Sequence, residues 1–142
     1  MIVSSMKNFI TVVLTSILFP ACGPGLNELD EKKQTINLSY VTWACDCANW
    51  ATPEDIEKYN DNNGDSLAHL SIFIEPADSS LTLPDTLGYS GDLIRFTGRF
   101  YKKKGFPKGY ESIEHPDKAR VFRYTAYKVI YSNYRQFKEI DD

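Results

Sequence analysis

The chain is poor in the residues that most often announce chemistry. Its 142 residues include only two histidines and three cysteines, too few for a multi-histidine metal centre or a cysteine-dense scaffold. No Gly-rich phosphate cradle is present, and Asp, Glu and His show no helix-face pairing suited to general acid–base work. Asp61-x-Asn63-x-Asp65 opens like a calcium loop, but Gly64 comes two places early and position twelve is Ile72 rather than a bidentate Glu. It reads as a turn. Gly88-Tyr89-Ser90-Gly91 lacks the glycine spacing of a nucleophile elbow, and a strand follows it instead of a helix. Long hydrophobic runs are missing too: the apolar stretch Phe9–Phe19 has eleven residues, against about 20 for a membrane-crossing helix. An enzymatic role is not expected, and no internal repeat shows.

What is present begins at the amino terminus. Lys7, the apolar run Phe9–Phe19 and then Pro20, Ala21 and Cys22 follow the order of an export signal: a positive start, 7–15 apolar residues, small residues before cleavage. Ala21-Cys22-Gly23 resembles the lipobox of bacterial lipoproteins. The resemblance covers residues 1–22 and implies that residues 1–21 are a signal peptide. It also implies that Cys22 becomes the mature amino terminus, carrying a thioether-linked diacylglyceryl (palmitate-type) anchor and an N-acyl chain. Each buried CH₂ contributes about 0.8 kcal/mol, so several acyl chains on one residue hold firmly. Gly23, where an aspartate retains some lipoproteins in the inner membrane, implies the outer membrane or cell surface. Residues 22–34 are polar and without apolar periodicity, and read as a tether. Its twelve residues after Cys22 would reach on the order of 40 Å if extended.

The remainder divides into a β-rich domain over 35–131 and a polar tail over 132–142. Thr35–Ala44 alternates apolar and polar residues, as do Leu67–Glu75 and Asp92–Lys102, and Ala119–Tyr131 is rich in tyrosine and β-branched residues. Thr52-Pro53-Glu54-Asp55 predicts one short helix: Thr as N-cap, Pro at the first helical position, acids in the first turn. Gly98 predicts a bend or bulge, Pro76–Ser90 a loop, and Lys103–Pro116 a long basic loop. Few strands of this length favour a small closed or partly open antiparallel barrel, since a short open sheet leaves exposed edges. A two-sheet sandwich is the alternative. The segments LIRFTGRFYKKKGFPKGY and ARVFRYTAYKVI resemble the oligonucleotide/oligosaccharide-binding (OB) barrel found in small exported lipoproteins.

Trp43-Ala44-Cys45-Asp46-Cys47-Ala48-Asn49-Trp50 has the most chemical potential. With Cys22 acylated, Cys45 and Cys47 are the only remaining pair, in an oxidising compartment. On a flat strand their Cβ atoms would lie about 7 Å apart, against roughly 3.8 Å in a disulfide. A bond therefore needs a turn at Asp46. Three readings stand: a disulfide ending the strand, two buried thiols, or a metal site. Zinc would need four ligands, and His69 and His115 are the only imidazoles; copper(I) would be content with Cys45, Cys47 and one histidine. No other cofactor is expected.

Charge is unevenly spread. Cys22–Gly91 holds 3 basic and 12 acidic residues, and Asp92–Lys128 holds 10 basic and 4 acidic. Such a dipolar surface suits either internal attraction or a charged partner. Arg95, Arg99 and Tyr101 are expected on one strand face, followed by Lys102, Lys103 and Lys104, with Arg123 and Tyr127 sharing a face of the last strand. Cations interleaved with aromatics suit single strands of nucleic acid, but an exported protein meets little of it, so no nucleic acid is expected. The same surface suits an acidic glycan, a lipid headgroup or an acidic envelope protein.

Overall fold

The computed structural model describes residues 26–59, 64–88 and 91–131. The signal segment, Cys22, the turn at 60–63, Ser90 and the tail at 132–142 lie outside the described residues. No helix among the described residues is long and apolar enough to cross a membrane.

Alternation builds the barrel. In β1 (Gln34–Tyr40) Ile36, Leu38 and Tyr40 point inward, and in β4 (Leu93–Phe100) Ile94, Phe96 and Phe100 do the same. These two strands pair antiparallel, with Ile36 opposite Phe96 and Leu38 opposite Ile94. A two-residue strand, β2 (Trp50–Ala51), links β1 to β3 (Ile72–Pro76), and β5 (Arg120–Tyr131) pairs with β4. The order β1-β2-β3-β5-β4 closes on itself, so each strand has a neighbour on both sides over part of its length. Closure departs from the all-antiparallel expectation at one seam, where β3 and β5 run parallel, Ile72 opposite Arg120 through Pro76 opposite Tyr124. The result is a small closed β-barrel of five strands.

The interior is aromatic. Trp50, Phe96, Phe100, Phe122 and Tyr124 are buried around Leu38, Ile72 and Ile94, each contributing about 1.5–3 kcal/mol by leaving water. Trp50 and Phe96 meet edge-on at 5.5 Å, as do Phe100 and Phe122 at 4.9 Å. The expected loop after β3 carries a 3₁₀ turn at Ser79–Leu81, whose N-cap Asp78 accepts the Ser80 N–H at 2.9 Å. Leu81, Leu83 and Leu87 then pack against the core, and Tyr124 donates its hydroxyl to the Leu81 carbonyl at 2.7 Å.

The expected helix forms as α1 (Pro53–Tyr59). Thr52 Oγ1 accepts the Asp55 N–H at 3.2 Å and donates to Asp55 Oδ2 at 2.9 Å, a reciprocal cap. A second helix, α2 (Gly64–Leu70), replaces the first half of the strand expected over Leu67–Glu75. Leu67, Ala68 and Leu70 are good helix formers, and β-branched residues begin only at Ile72. Leu67 is buried, and Ser71 ends the helix by giving both its N–H (2.9 Å) and its hydroxyl (2.8 Å) to the Leu67 carbonyl.

The described part of the tether is docked on the barrel. Glu28 accepts the Lys102 N–H at 2.9 Å through its carbonyl, Asp30 donates its N–H to the Phe100 carbonyl at 2.8 Å, and Leu29 bridges Tyr101. Leu26 packs in a second core cluster. The apolar side chain of Leu26, in a stretch that reads as polar, and the backbone bridge at Leu29 give the segment its purchase.

Gly98 lies where the β4–β5 register shifts, as its expected bulge requires. A Cβ there would lie 2.1 Å from the Arg123 carbonyl oxygen and 2.7 Å from Tyr124 Cα. Both obstacles are backbone and cannot rotate away. Gly98→Ala is therefore expected to destabilise the barrel by about 3 kcal/mol, measured as a lowered midpoint in urea denaturation with unchanged slope.

Candidate functional site

A second cluster lies outside the barrel, between its wall and the β4–β5 loop, residues 101–119. Phe73 and Val121, which face away from the barrel interior, are buried with Ala48 beneath Tyr101, Phe106, Tyr110 and Ala119. Phe106 and Tyr110 stack at 4.9 Å with planes 5° apart, and both meet Phe73. Gly105 and Ala119 pair as an isolated bridge that closes the base of the loop.

This packing leaves a cleft of about 540 Å³ lined by Lys104, Lys108, Lys118 and Arg123, with Tyr101 and Glu75 among its other walls. Glu75, on β3, is 6% exposed. It accepts the Tyr101 hydroxyl at 2.7 Å and the Lys108 backbone N–H at 2.9 Å, and lies 3.5 Å from Arg123 Nε. Arg123 donates through Nη2 to the Ala77 carbonyl at 3.0 Å, while its buried Nε has no hydrogen-bond partner. One carboxylate thus faces four cationic side chains, and the excess is positive. Burial, then the hydrogen bond to Glu75, pushes the Tyr101 phenol up to about 12.

The disulfide reading of the cysteine pair is the one the structure contains. Cys45 and Cys47 are bonded, with Cα atoms 5.2 Å apart. The strand has already ended at Tyr40, and residues 44–47 bend. Asp46, between the cysteines, offers every polar group it has to the β4–β5 loop. Its N–H donates to Glu114 Oε2 at 2.8 Å, its carboxylate accepts the Ser112 hydroxyl at 2.9 Å, and its carbonyl accepts the Tyr110 hydroxyl. The linkage runs from disulfide to Asp46 to Tyr110 to Phe106, and Phe106 lines the cleft.

The residues singled out for metal are not gathered. Among the described residues, no group of three or more His, Cys, Asp or Glu side chains is placed to hold a metal ion. His69 is exposed on α2, not on a strand face. His115 is exposed in the β4–β5 loop with a positive φ of 50°.

The basic face is assembled differently from the sequence expectation. Arg95 and Arg99 do project outward from β4; Arg95 Nε donates to Asn37 Oδ1 at 3.0 Å. Lys103 and Lys104 are exposed. Lys102 is committed to an ion pair with Glu28 at 2.5 Å. Tyr101 belongs to the outer cluster, hydrogen-bonded to Glu75 rather than displayed beside Arg99. Tyr127 does not share a face with Arg123. The register moves between Thr97–Ala126 and Gly98–Tyr124, leaving Thr125 as the extra residue, so Tyr127 turns inward beside Phe96 and Tyr124. Sequence reasoning missed the role of Glu75 and the place of Lys118. An acidic residue ending an apolar strand carries no local mark of its partner, although the Phe106–Tyr110 spacing within a loop was a visible hint of buried structure.

Comparison of the chain with protein-family models, known proteins and solved structures gives no match.

Two outcomes follow from this geometry. Replacing both Cys45 and Cys47 by Ser is expected to cost about 1.5 kcal/mol, the loop-entropy value for so small a ring. It should also speed amide exchange over residues 110–114 while leaving the β4–β5 ladder protected. For Tyr101 and Tyr124, both pushed up to about 12 with burial as the largest cause, the neutral phenol is favoured by the fold. That stabilisation is complete below about pH 10, the unfolded tyrosine value, and is lost as pH rises towards 12. Tyrosinate absorbance should therefore show two late-ionising tyrosines, and Tyr101→Phe should remove one.

Proposed function

We propose that the protein is a non-enzymatic binding module of a bacterial cell envelope, anchored by lipid at Cys22, that captures an acidic ligand in the cleft beneath the β4–β5 loop. The observation that carries the reading is the convergence of Lys104, Lys108, Lys118 and Arg123 on one cleft whose one acid among the described residues, Glu75, is already occupied by the Tyr101 hydroxyl, the Lys108 backbone N–H and Arg123. Cations held around a partly enclosed cavity attract anions more strongly than the same charges scattered on open surface. Phe106 and Tyr101 add aromatic surface, which suits a sugar ring carrying a carboxylate. An acidic glycan is therefore the ligand class favoured over an acidic protein, which would need a broader, flatter face.

The soft-metal alternative loses support, because its two thiolate ligands are consumed in the Cys45–Cys47 bond. The anchor places the cleft close to a membrane surface: Leu26 lines it and lies four residues from Cys22.

Binding of oligogalacturonate, measured by calorimetry, tests the reading. Affinity should fall as salt rises, since about 0.1 M salt screens charges beyond roughly 10 Å. Lys104→Glu with Lys108→Glu should weaken it by about tenfold or more, with an unchanged melting temperature. Undetectable binding at low salt, or full affinity in the double variant, would count against the cleft.

A further inference from the structure

A smaller hollow, about 270 Å³, opens on the outer wall of β4 and β5 and is lined by Lys33, Arg99, Arg123, Thr125, Leu29 and Ala77, together with Gly98. Arg99 and Arg123 are register partners on adjacent strands. Residues so paired hold their Cβ atoms about 5 Å apart, and like charges in that position repel. Lys33, carried on the docked amino-terminal segment, adds a third cation to the same hollow. Among the described residues neither Arg99 nor Lys33 has an acidic partner, and of the three cations Arg123 alone is approached by Glu75.

We propose that this hollow is a site for a phosphate group, held between the guanidinium groups of Arg99 and Arg123 and the ammonium of Lys33. Three features lead there. Arg123 is preorganised: its Nη2 is fixed on the Ala77 carbonyl at 3.0 Å and its Nε lies beside Glu75, so its orientation is set before any ligand arrives. Arg99 is exposed and unpaired, free to swing onto a bound group. Lys33 reaches the same hollow from the docked amino-terminal segment and supplies a third donor.

The ligand class follows from the donors. A carboxylate has two oxygens and is satisfied by one guanidinium fork. Arg123 is partly committed to Ala77 and Glu75, but the whole fork of Arg99, the remaining N–H groups of Arg123 and the Lys33 ammonium still ask for more oxygens than one carboxylate has. A phosphate monoester, with about −1.5 to −2 charge and three terminal oxygens, meets that demand. Binding it would also relieve the repulsion between the two arginines. Such a group is borne by a phosphorylated lipid headgroup or by a soluble phosphate compound; the chemistry at the hollow is the same.

The site deepens the anionic-ligand reading, and Arg123 serves both hollows, but the two can fail separately. Lys104 and Lys108 line only the larger cleft, and Arg99 and Lys33 line only the smaller.

The test is a titration of the purified protein with inorganic phosphate, and in parallel with acetate at matched ionic strength, following the arginine Nε–H resonances by NMR. Phosphate should shift the signals of Arg99 and Arg123 saturably and acetate should not. Arg99→Met should weaken phosphate binding by about tenfold while melting no lower than the parent, since it removes a repulsive pair. Lys104→Glu with Lys108→Glu should leave the Arg99 response in place, even if oligogalacturonate binding is absent. Saturable Arg99 shifts with soluble short-chain phosphatidic acid but not with short-chain phosphatidylcholine, lost in Arg99→Met, assign the phosphate to a lipid; shifts with inorganic phosphate but not with short-chain phosphatidic acid assign it to a soluble compound. The proposal is overturned if phosphate gives no saturable shift, if acetate shifts both arginines equally, or if Arg99→Met binds phosphate as tightly as the parent.

Discussion

The close approach of β5 to Gly98 is the constraint on which the rest of the molecule turns. Only the absence of a Cβ lets the Arg123 carbonyl and Tyr124 Cα cross β4 there, and the register of the β4–β5 pair changes at that point. A bulge inserts one residue and so reverses which face the following side chains take. Before it, Phe122 and Tyr124 fill the barrel while Val121 and Arg123 look outward. Beyond it, Tyr127 fills the barrel instead of standing above Arg123. The bulge thus supplies the core with Tyr127 and removes it from the outer face at Arg123.

A second layer depends on that outward face. Val121 from β5 and Phe73 from β3 offer apolar surface on the wrong side of the barrel, and burying it is what draws the β4–β5 loop and Leu26 down onto the wall. Once the loop is down, Glu75 is removed from water, and its carboxylate must find partners or exact a desolvation cost. Tyr101, Lys108 and Arg123 supply them. The cleft is therefore a by-product of packing an outer core, and the buried acid at its wall holds the Arg123 guanidinium and the Lys108 backbone in place.

The sequence made the barrel legible through alternation: β1 and β4 lie almost where the pattern puts them, the cap at Thr52 forms as its chemistry requires, and Gly98 marks the bulge. Three things were hidden, each for a physical reason. The seven-residue α2 is shorter than two full turns of periodicity, so Leu67 and Leu70 fitted a strand equally well. The two-residue β2 is too short to alternate at all. The parity change in β5 is invisible because a bulge follows from the partner strand, so Arg123 and Tyr127 seemed to share a face. At the site, the cationic residues were evident from composition, but the acid that organises them was not, since Glu75 meets its partners across 26 to 48 residues of chain.

The position of the disulfide gives the loop arrangement its meaning. A bridge closing so small a ring removes little entropy from the unfolded chain compared with one spanning the barrel, so its main effect is local. What it fixes is the turn at Asp46, and that turn presents an N–H, a carbonyl and a carboxylate together to Glu114, Tyr110 and Ser112. A long loop held only by the outer core would pivot about its base at Gly105 and Ala119. Held also at Asp46, it is pinned at two separated points, and the wall containing Phe106 and Lys108 between them is kept in register with Glu75. In a small domain, where a single core leaves little stability to spare, a covalent pin on a long surface loop achieves what additional apolar surface could not do without closing the cleft.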